Sequence, residues 1–135
     1  METLVRHGIQ VQKMYDAYKS GDIALIVSFL NKDVIWEVMG EPDVPFAGIY
    51  HGPADVKDFF GQLNDLVEPK EFVAEHILEN EQIVIATGHM NAKGRKTGKS
   101  FSTNWSMIWE FNDDGQVVHF RDCFDTLAFA RGLTK

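Results

Sequence analysis

The spacing of apolar residues changes at Pro69, and this change limits the folds open to the chain. Before Pro69, apolar residues at helical spacing predict helices over about 3–19, 23–30 and 53–66, with one short strand over 33–38. After Pro69, alternation predicts strands over about 71–78, 82–91, 99–111 and 116–124. Helices followed by a meander predict an α+β fold, in which a curved antiparallel sheet wraps around the N-terminal helices.

Short polar segments mark the ends of these elements. Gly21 can take the left-handed conformation that ends the first helix, and Asp22 can cap the second. Asp125 is expected to cap a short C-terminal helix in the same way. The stretch from Gly40 to Gly52 is rich in proline and glycine and is predicted to be a loop.

Length and charge exclude several classes of protein. The 135 residues predict a single domain, 1–135, with a hydrophobic core. The formal net charge of −7 argues against nucleic acid and anionic membrane as partners, because both need a basic surface. No apolar run reaches the ~18 residues of a membrane span, so we expect a cytoplasmic protein.

The last predicted strand carries an acid in an apolar row. Because side chains alternate along a strand, Val118, Phe120, Asp122 and Phe124 should share one face. Burial among apolar side chains raises the pKa of a carboxyl group unless it is paired or hydrated. An acid of this kind in a cavity suits a general base, so Asp122 is the first catalytic candidate. The alternative is an inert acid hydrogen-bonded to a Tyr or Trp.

Aromatic and apolar residues on several elements are predicted to surround Asp122. The predicted substrate-binding residues are Tyr15, Tyr18, Trp36, Phe72, Met90, Thr103, Trp105, Met107, Phe120, Phe124 and Phe129. A lining of this composition suits a flat apolar or aromatic ligand. The alternative for each of these side chains is ordinary core packing.

His76 is the second catalytic candidate. It is predicted to share an inward row with Phe72 and Ala74, where it could hydrogen-bond a ligand carbonyl or tune Asp122. A buried histidine satisfied by the backbone is the alternative. His89, His119 and Arg121 are predicted to point away from the cavity.

Five segments carry a family pattern: Ser20–Asp22, Leu30–Trp36, Gly48–Asp55, Thr97–Lys99 and Phe120–Asp125. With these, the chain resembles the nuclear-transport-factor-2-like superfamily, and within it the SnoaL-like polyketide cyclases and the limonene-epoxide hydrolases. The resemblance implies a cone-shaped α+β barrel, and for the cyclases a general base at Asp122 with no metal and no cofactor. The fold hosts several activities and non-catalytic proteins, so it does not define the function.

Catalytic residues of two related families are missing at the matching positions. Limonene-epoxide hydrolases use an Arg and an Asp where this chain has Gly88 and Met90. Ketosteroid isomerases, a further branch of the superfamily, use a Tyr and two Asp where this chain has Met14, Val38 and Met107. Neither chemistry is expected, and Asp122 is left as the lone acid.

Two functions from different classes follow. In the first, Asp122 removes a proton next to the carbonyl of a small apolar or aromatic compound, in an isomerase, cyclase or lyase step without cofactor or metal. Donors such as His76, Tyr15 or Tyr18 would steady the oxyanion. In the second, the protein binds a small ligand without chemistry.

A homodimer is expected in either case. Val84, Ala86 and Ile108 are predicted to lie on the sheet face opposite the pocket, with neutral polar side chains from Thr87, His89, Asn104 and Ser106. A face with few charges suits an interface better than bulk water. The resemblance implies sheet-to-sheet pairing as well.

Overall fold

The fold combines helices with one sheet, as predicted. A computed structural model describes residues 7–135. The elements are α1 (His7–Ser20), α2 (Ile23–Ser28), β1 (Leu30–Val38), β2 (Gly48–His51), α3 (Gly52–Leu66), β3 (Val67–Asn80), β4 (Ile83–Gly94), β5 (Ser100–Phe111), β6 (Val117–Phe124) and α4 (Thr126–Leu133). The predicted start of the first helix near residue 3 lies outside the described residues. None of the helices within 7–135 is both long and apolar enough to cross a membrane.

The strands form one curved, open sheet in the order β2-β1-β6-β5-β4-β3. Strands β3 to β6 make the predicted antiparallel meander. The pairing of β1 with β6 is parallel, which differs from the expected all-antiparallel sheet. The long connection through α3 and the meander allows this pairing, since parallel neighbours need a long crossover. β2 and β3 remain as edges, so the cone does not close into a barrel.

The predicted turns and caps are present. Gly21 has a positive φ of 78° after α1, where glycine avoids the strain that a side chain would cause. The Asp22 carboxylate accepts a hydrogen bond from the backbone N–H of Leu25 at the start of α2. The Asp125 carboxylate accepts one from the N–H of Ala128 at the start of α4. Each cap satisfies a backbone donor that the helix leaves unpaired.

The predicted loop from Gly40 to Gly52 contains the short strand β2. Its Tyr50 pairs in register with Trp36 of β1, and the Tyr50 hydroxyl donates to the backbone oxygen of Phe46 at 2.7 Å. Phe46 is buried, so this segment covers the core. The strand is only four residues long, too short for alternation to show against proline and glycine.

Aromatic side chains fill the concave side of the sheet under the helices. α1 packs against β3 and β4, and α3 packs against β1 and β2. Trp36 stacks on Phe120 with ring centroids 3.8 Å apart, and Trp109 meets Trp36 edge-on at 5.7 Å. Burying side chains of this size provides the main driving force for folding, about 1.5–3 kcal/mol for each.

The convex side of the sheet carries a different set of residues from the one expected. Val84 and Ala86 are fully buried on the concave side, so their predicted place on the outer face is wrong. They have the same parity along β4 as Gly88 and Met90, which also face inward. Ile83 and Ile85 take the outer positions and are 41% and 45% exposed.

An ion-pair cluster also lies on the convex side, where His119 and Arg121 were predicted to point. The His119 Nε2 lies 2.5 Å from the Glu37 carboxylate, and its Nδ1 lies 3.1 Å from that of Glu110. Arg121 reaches Glu37 at 3.3 Å. The hydrogen bond from His119 is the main reason that the pKa of Glu37 is lowered. Glu37 and Arg121 are therefore paired with each other, and His119 bridges Glu37 and Glu110.

Candidate active site

A cavity of about 80 Å³ lies between the sheet and the helices. This is several times the volume that one water molecule needs. All the residues predicted to bind substrate line it: Tyr15, Tyr18, Trp36, Phe72, Met90, Thr103, Trp105, Met107, Phe120, Phe124 and Phe129. The structure thus brings this set together, and their contact with a substrate stays a prediction.

Asp122 lies on the floor of the cavity. Its register partners are Val38 on β1 and Met107 on β5, so apolar residues flank it on both neighbouring strands. Its Oδ1 atom is buried and has no hydrogen-bond partner within residues 7–135. Burial raises the pKa of Asp122 to about 7. The expected rise in pKa through desolvation is present, so the group can exchange a proton near neutral pH.

The two tyrosines of α1 stay protonated beside this acid. Burial raises the pKa of Tyr18 to about 12, and the charge of Asp122 adds to this effect. Burial also raises the pKa of Tyr15 far above its usual value. The Tyr15 hydroxyl accepts a hydrogen bond from Trp109 Nε1 at 3.0 Å and donates to the Met107 sulfur at 3.3 Å. Its hydrogen-bonding capacity is therefore mostly used within the protein.

Unlike the indole N–H of Trp109, those of Trp36 and Trp105 are buried without a hydrogen-bond partner in residues 7–135. Trp36 and Trp105 are 2% and 4% exposed. Their Nε1 atoms have no hydrogen-bond partner in the described part of the chain. Trp105 stacks on Phe72 with ring centroids 4.9 Å apart and planes 4° apart, which fixes its orientation. The cavity wall thus contains two buried N–H donors that the protein itself does not satisfy.

His76 does not line the cavity, so its predicted position is wrong. A register shift lies between Ala74 and His76, and His76 pairs with the outward-facing Thr87. The extra residue in the bulge moves His76 to the convex side, where it is exposed. Phe72 and Ala74 precede the bulge, and Phe72 keeps its inward place.

Several lining residues were absent from the predicted set. Phe59, Phe60 and Leu63 of α3 contribute to the wall, as do Phe46 and Trp109. The apolar stripe of α3 and the inward row of β5 were visible signals for most of them. For Phe46 the signal was weak, since it lies in an irregular segment with no periodicity.

A surface groove of about 630 Å³ adjoins the cavity. Tyr18, Phe60 and Leu63 line both spaces, so these side chains form the partition between them. The groove also contains Lys19 and Arg95. A ligand entering from this side would pass the partition.

Gly88 explains how Trp105 reaches its place. A Cβ at Gly88 would overlap the backbone oxygen of Val73 and approach Trp105 Cζ2 to 2.5 Å. Only a glycine leaves room for the indole to lie against the backbone here.

Asp122 is the single acidic or basic residue of the described cavity wall. Among the lining residues in 7–135, no other Asp, Glu, Lys, Arg or His occurs. No cluster of three or more metal-ligand residues occurs in that range.

An open, six-stranded cone with helices over an inner cavity defines a pocket protein of the NTF2-like class. The model of the SnoaL-like domain matches residues 11–120. The chain therefore belongs to the SnoaL-like domain family. The match ends at Phe120, two positions before Asp122. Among curated proteins, none matches the chain.

Solved structures share this fold over nearly the whole chain. An NTF2-like protein of unknown function from Burkholderia pseudomallei has a TM-score of 0.88 at 22% identity, covering 97% of this chain and 100% of that one. TerC, co-crystallised with polyporic acid, has a TM-score of 0.81 at 21% identity, covering 95% and 98%. A protein assigned as a polyketide cyclase from Xanthomonas campestris pv. campestris has a TM-score of 0.78 at 17% identity, covering 95% and 96%.

Proposed function

We propose that Asp122 is the general base of a cofactor-free enzyme that acts on a small, neutral, apolar or aromatic carbonyl compound. The observation that carries this proposal is a carboxyl group with an unpartnered oxygen on the floor of an aromatic cavity. A buried acid with a pKa of about 7 is partly ionised at neutral pH and can accept a proton from carbon.

The step that such a base performs is the removal of a proton next to a carbonyl group. The C–H bond breaks, the proton joins the Asp122 carboxylate, and the electron pair moves through carbon to the carbonyl oxygen as an enolate. When a solvent deuteron replaces the proton on Asp122 and is delivered to the same carbon, the result is exchange, and delivery of the proton to another carbon gives isomerisation. Attack of the enolate carbon on a second carbonyl of the same molecule forms the ring C–C bond, and the resulting alkoxide takes the proton back from Asp122, which gives cyclisation. The last step needs no further reactant.

The names of two structural relatives support a small organic ligand. TerC was crystallised with polyporic acid, and the Xanthomonas protein is assigned as a polyketide cyclase. The lining here is nearly all apolar, and Asp122 is anionic when it acts as a base. A neutral, flat compound therefore fits better than an anionic one, which the carboxylate would repel.

Deuterium uptake tests the proposal without knowledge of the natural substrate. 2-Indanone is small, flat and neutral, and its acidic C–H groups flank one carbonyl. In D₂O, we expect the protein to speed deuterium incorporation into 2-indanone above the buffer rate, measured by NMR. Asp122→Asn should lower the catalysed rate by ~10²–10⁴-fold. Asp114→Asn, in an exposed turn, is the matched control and should keep the full rate. Equal rates for the two variants would remove Asp122 as the base.

The second candidate function is ligand binding without chemistry. It is favoured by the absence, at Gly88, Met90, Val38 and Met107, of the catalytic residues that related enzymes carry. It also agrees with the lack of a second charged group among the described cavity residues. Binding of 2-indanone with no deuterium uptake above buffer would favour this function.

We also propose that the protein is a cytoplasmic homodimer joined through its convex face. Leu78, Ile85 and Ile108 are register partners across β3, β4 and β5 and form an aliphatic row. Leu78 is 67% exposed and Ile85 is 45% exposed. Copies of a chain with a net charge of −7 repel each other, so they would meet through an uncharged surface such as this row.

A further inference from the structure

Three buried side-chain atoms in residues 7–135 have no hydrogen-bond partner: Trp36 Nε1, Trp105 Nε1 and Asp122 Oδ1. All three residues line the same cavity. Buried polar atoms in proteins are nearly always paired, so isolated exceptions require an explanation. All three residues thus meet at one cavity, where a bound molecule could supply a partner.

Strand register places the two indoles on either side of Asp122. Trp36 is the partner of Phe120, two residues before Asp122, on the neighbouring strand β1. Trp105 is the partner of Phe124, two residues after Asp122, on the other neighbour, β5. With standard strand spacings, the Cα atom of each tryptophan is about 8 Å from that of Asp122, in opposite directions.

We infer that the indole N–H groups of Trp36 and Trp105 are the specificity-determining donors of the cavity, which bind oxygen acceptors of the ligand on either side of the group that faces Asp122. This assignment rests on the proposed function for the identity of that group. An indole N–H can only donate, so the ligand atoms that it binds must be acceptors. The ligand class is a neutral, flat molecule with carbonyl oxygens toward its ends.

The other polar groups of the wall are less suited to this role. Trp109 Nε1 already donates to the Tyr15 hydroxyl, and that hydroxyl donates to the Met107 sulfur. Thr103 Oγ1 donates to the backbone oxygen of Asn104 and accepts from the N–H of Asp125. Among the indole groups of the wall, the N–H donors without a partner in residues 7–135 therefore belong to Trp36 and Trp105.

The test compares 2-indanone with indane, two molecules of nearly the same shape that differ by one carbonyl group. With ¹⁵N-tryptophan labelling, the chain gives three indole N–H signals, assigned from the single Trp→Phe variants. We expect 2-indanone to shift the signal of Trp36, of Trp105 or of both downfield, and indane to cause no downfield shift. The Trp109 signal should stay in place, which provides an internal control. One added hydrogen bond should make 2-indanone bind about five- to tenfold more tightly than indane.

Variants then separate hydrogen bonding from shape. The ratio of the two affinities should fall toward one in Trp36→Phe or Trp105→Phe, whichever signal shifted, and should be unchanged in Trp109→Phe. The preference for 2-indanone over indane should also remain in Asp122→Asn, which cannot act as a base. Loss of this preference would therefore count against the tryptophan donors, whereas loss of deuterium uptake counts against the general base. Equal binding of ketone and hydrocarbon by the wild-type chain, including no binding of either at the solubility limit, would overturn the assignment. Unmoved Trp36 and Trp105 signals with 2-indanone bound would do so as well.

Discussion

The hydroxyl of Tyr15 accepts a 3.0 Å hydrogen bond from Trp109 Nε1, and this contact ties α1 to the C-terminal part of β5. Both side chains are almost fully buried, at 4% and 3% exposure. A hydrogen bond between buried partners matters chiefly because neither group can turn to water when the other is removed. The contact therefore contributes to holding α1 over the cavity.

Tyr15→Phe should lower the free energy of unfolding by about 1–3 kcal/mol, because it leaves the Trp109 N–H buried without a partner. Urea denaturation measures this change. A cycle with Trp109→Phe should give a coupling energy of about 0.5–1.5 kcal/mol between the two sites. Additive effects of the two changes would show that the hydrogen bond contributes nothing to stability.

Asp122→Asn should change how stability depends on pH. The folded pKa of about 7 lies above the unfolded value, so between about pH 4 and pH 7 the folded protein keeps a proton that the unfolded chain loses. The stability of the wild-type protein therefore falls as pH rises through this window, by at most about 4 kcal/mol from this group. The Asn side chain has no such dependence.

Below pH 4 the Asn variant should have the same free energy of unfolding as the wild type. Its advantage in stability should grow from pH 4 to pH 7 and stay constant at higher pH. Urea denaturation at several pH values from 4 to 8 measures the difference. Asp114→Asn should show no comparable trend, since its side chain is exposed. A variant that is less stable at pH 8 than at pH 5, relative to wild type, would identify Asp122 as a structural acceptor.

Gly88→Ala should destabilise the fold by about 1–3 kcal/mol, the usual range for overpacking a core. The added methyl group would overlap the backbone oxygen of Val73, which cannot move far within the sheet, and would displace Trp105. Gly61→Ala is the matched control, because α3 leaves open space around that position. It should raise stability by about 0.5–1 kcal/mol through helix propensity. Urea denaturation of both variants, with the Trp105 indole signal as a local probe, tests the contrast.

If the protein is a homodimer, we expect it to sediment at micromolar concentration with the mass of two chains. Ile85→Lys should produce monomers, because it places a charge in the middle of the row with Leu78 and Ile108. Leu127→Lys, at a similarly exposed position on α4, should leave the dimer intact. A wild-type chain that sediments as a monomer would refute the convex-face interface.

The sequence predicted the fold class and the cavity lining well because both follow from periodic patterns. Alternation along β5 and β6 placed Trp105, Met107 and Asp122 on one face, and these three residues line the cavity. At the start of β6 the predicted inward place of Val118 is wrong, because a register shift against β5 makes Val117 the fully buried residue. Where regular alternation breaks, the prediction fails. The bulge after Ala74 reversed His76, and no residue type in that segment signals a bulge. The parallel pairing of β1 with β6 depends on tertiary packing, which local periodicity does not encode.

The packing of the Trp105 indole against the backbone of Gly88 also restricts which substitutions this site can accept. The epoxide hydrolases that the chain resembles carry a catalytic Arg where Gly88 stands. No side chain fits at that position while the indole covers the backbone and the oxygen of Val73 lies behind it. Replacing Gly88 alone would disrupt the packing before it could add a charge, and shrinking Trp105 alone would leave a hole beside Phe72. An evolutionary path between the two chemistries would therefore require paired changes, each harmful without the other.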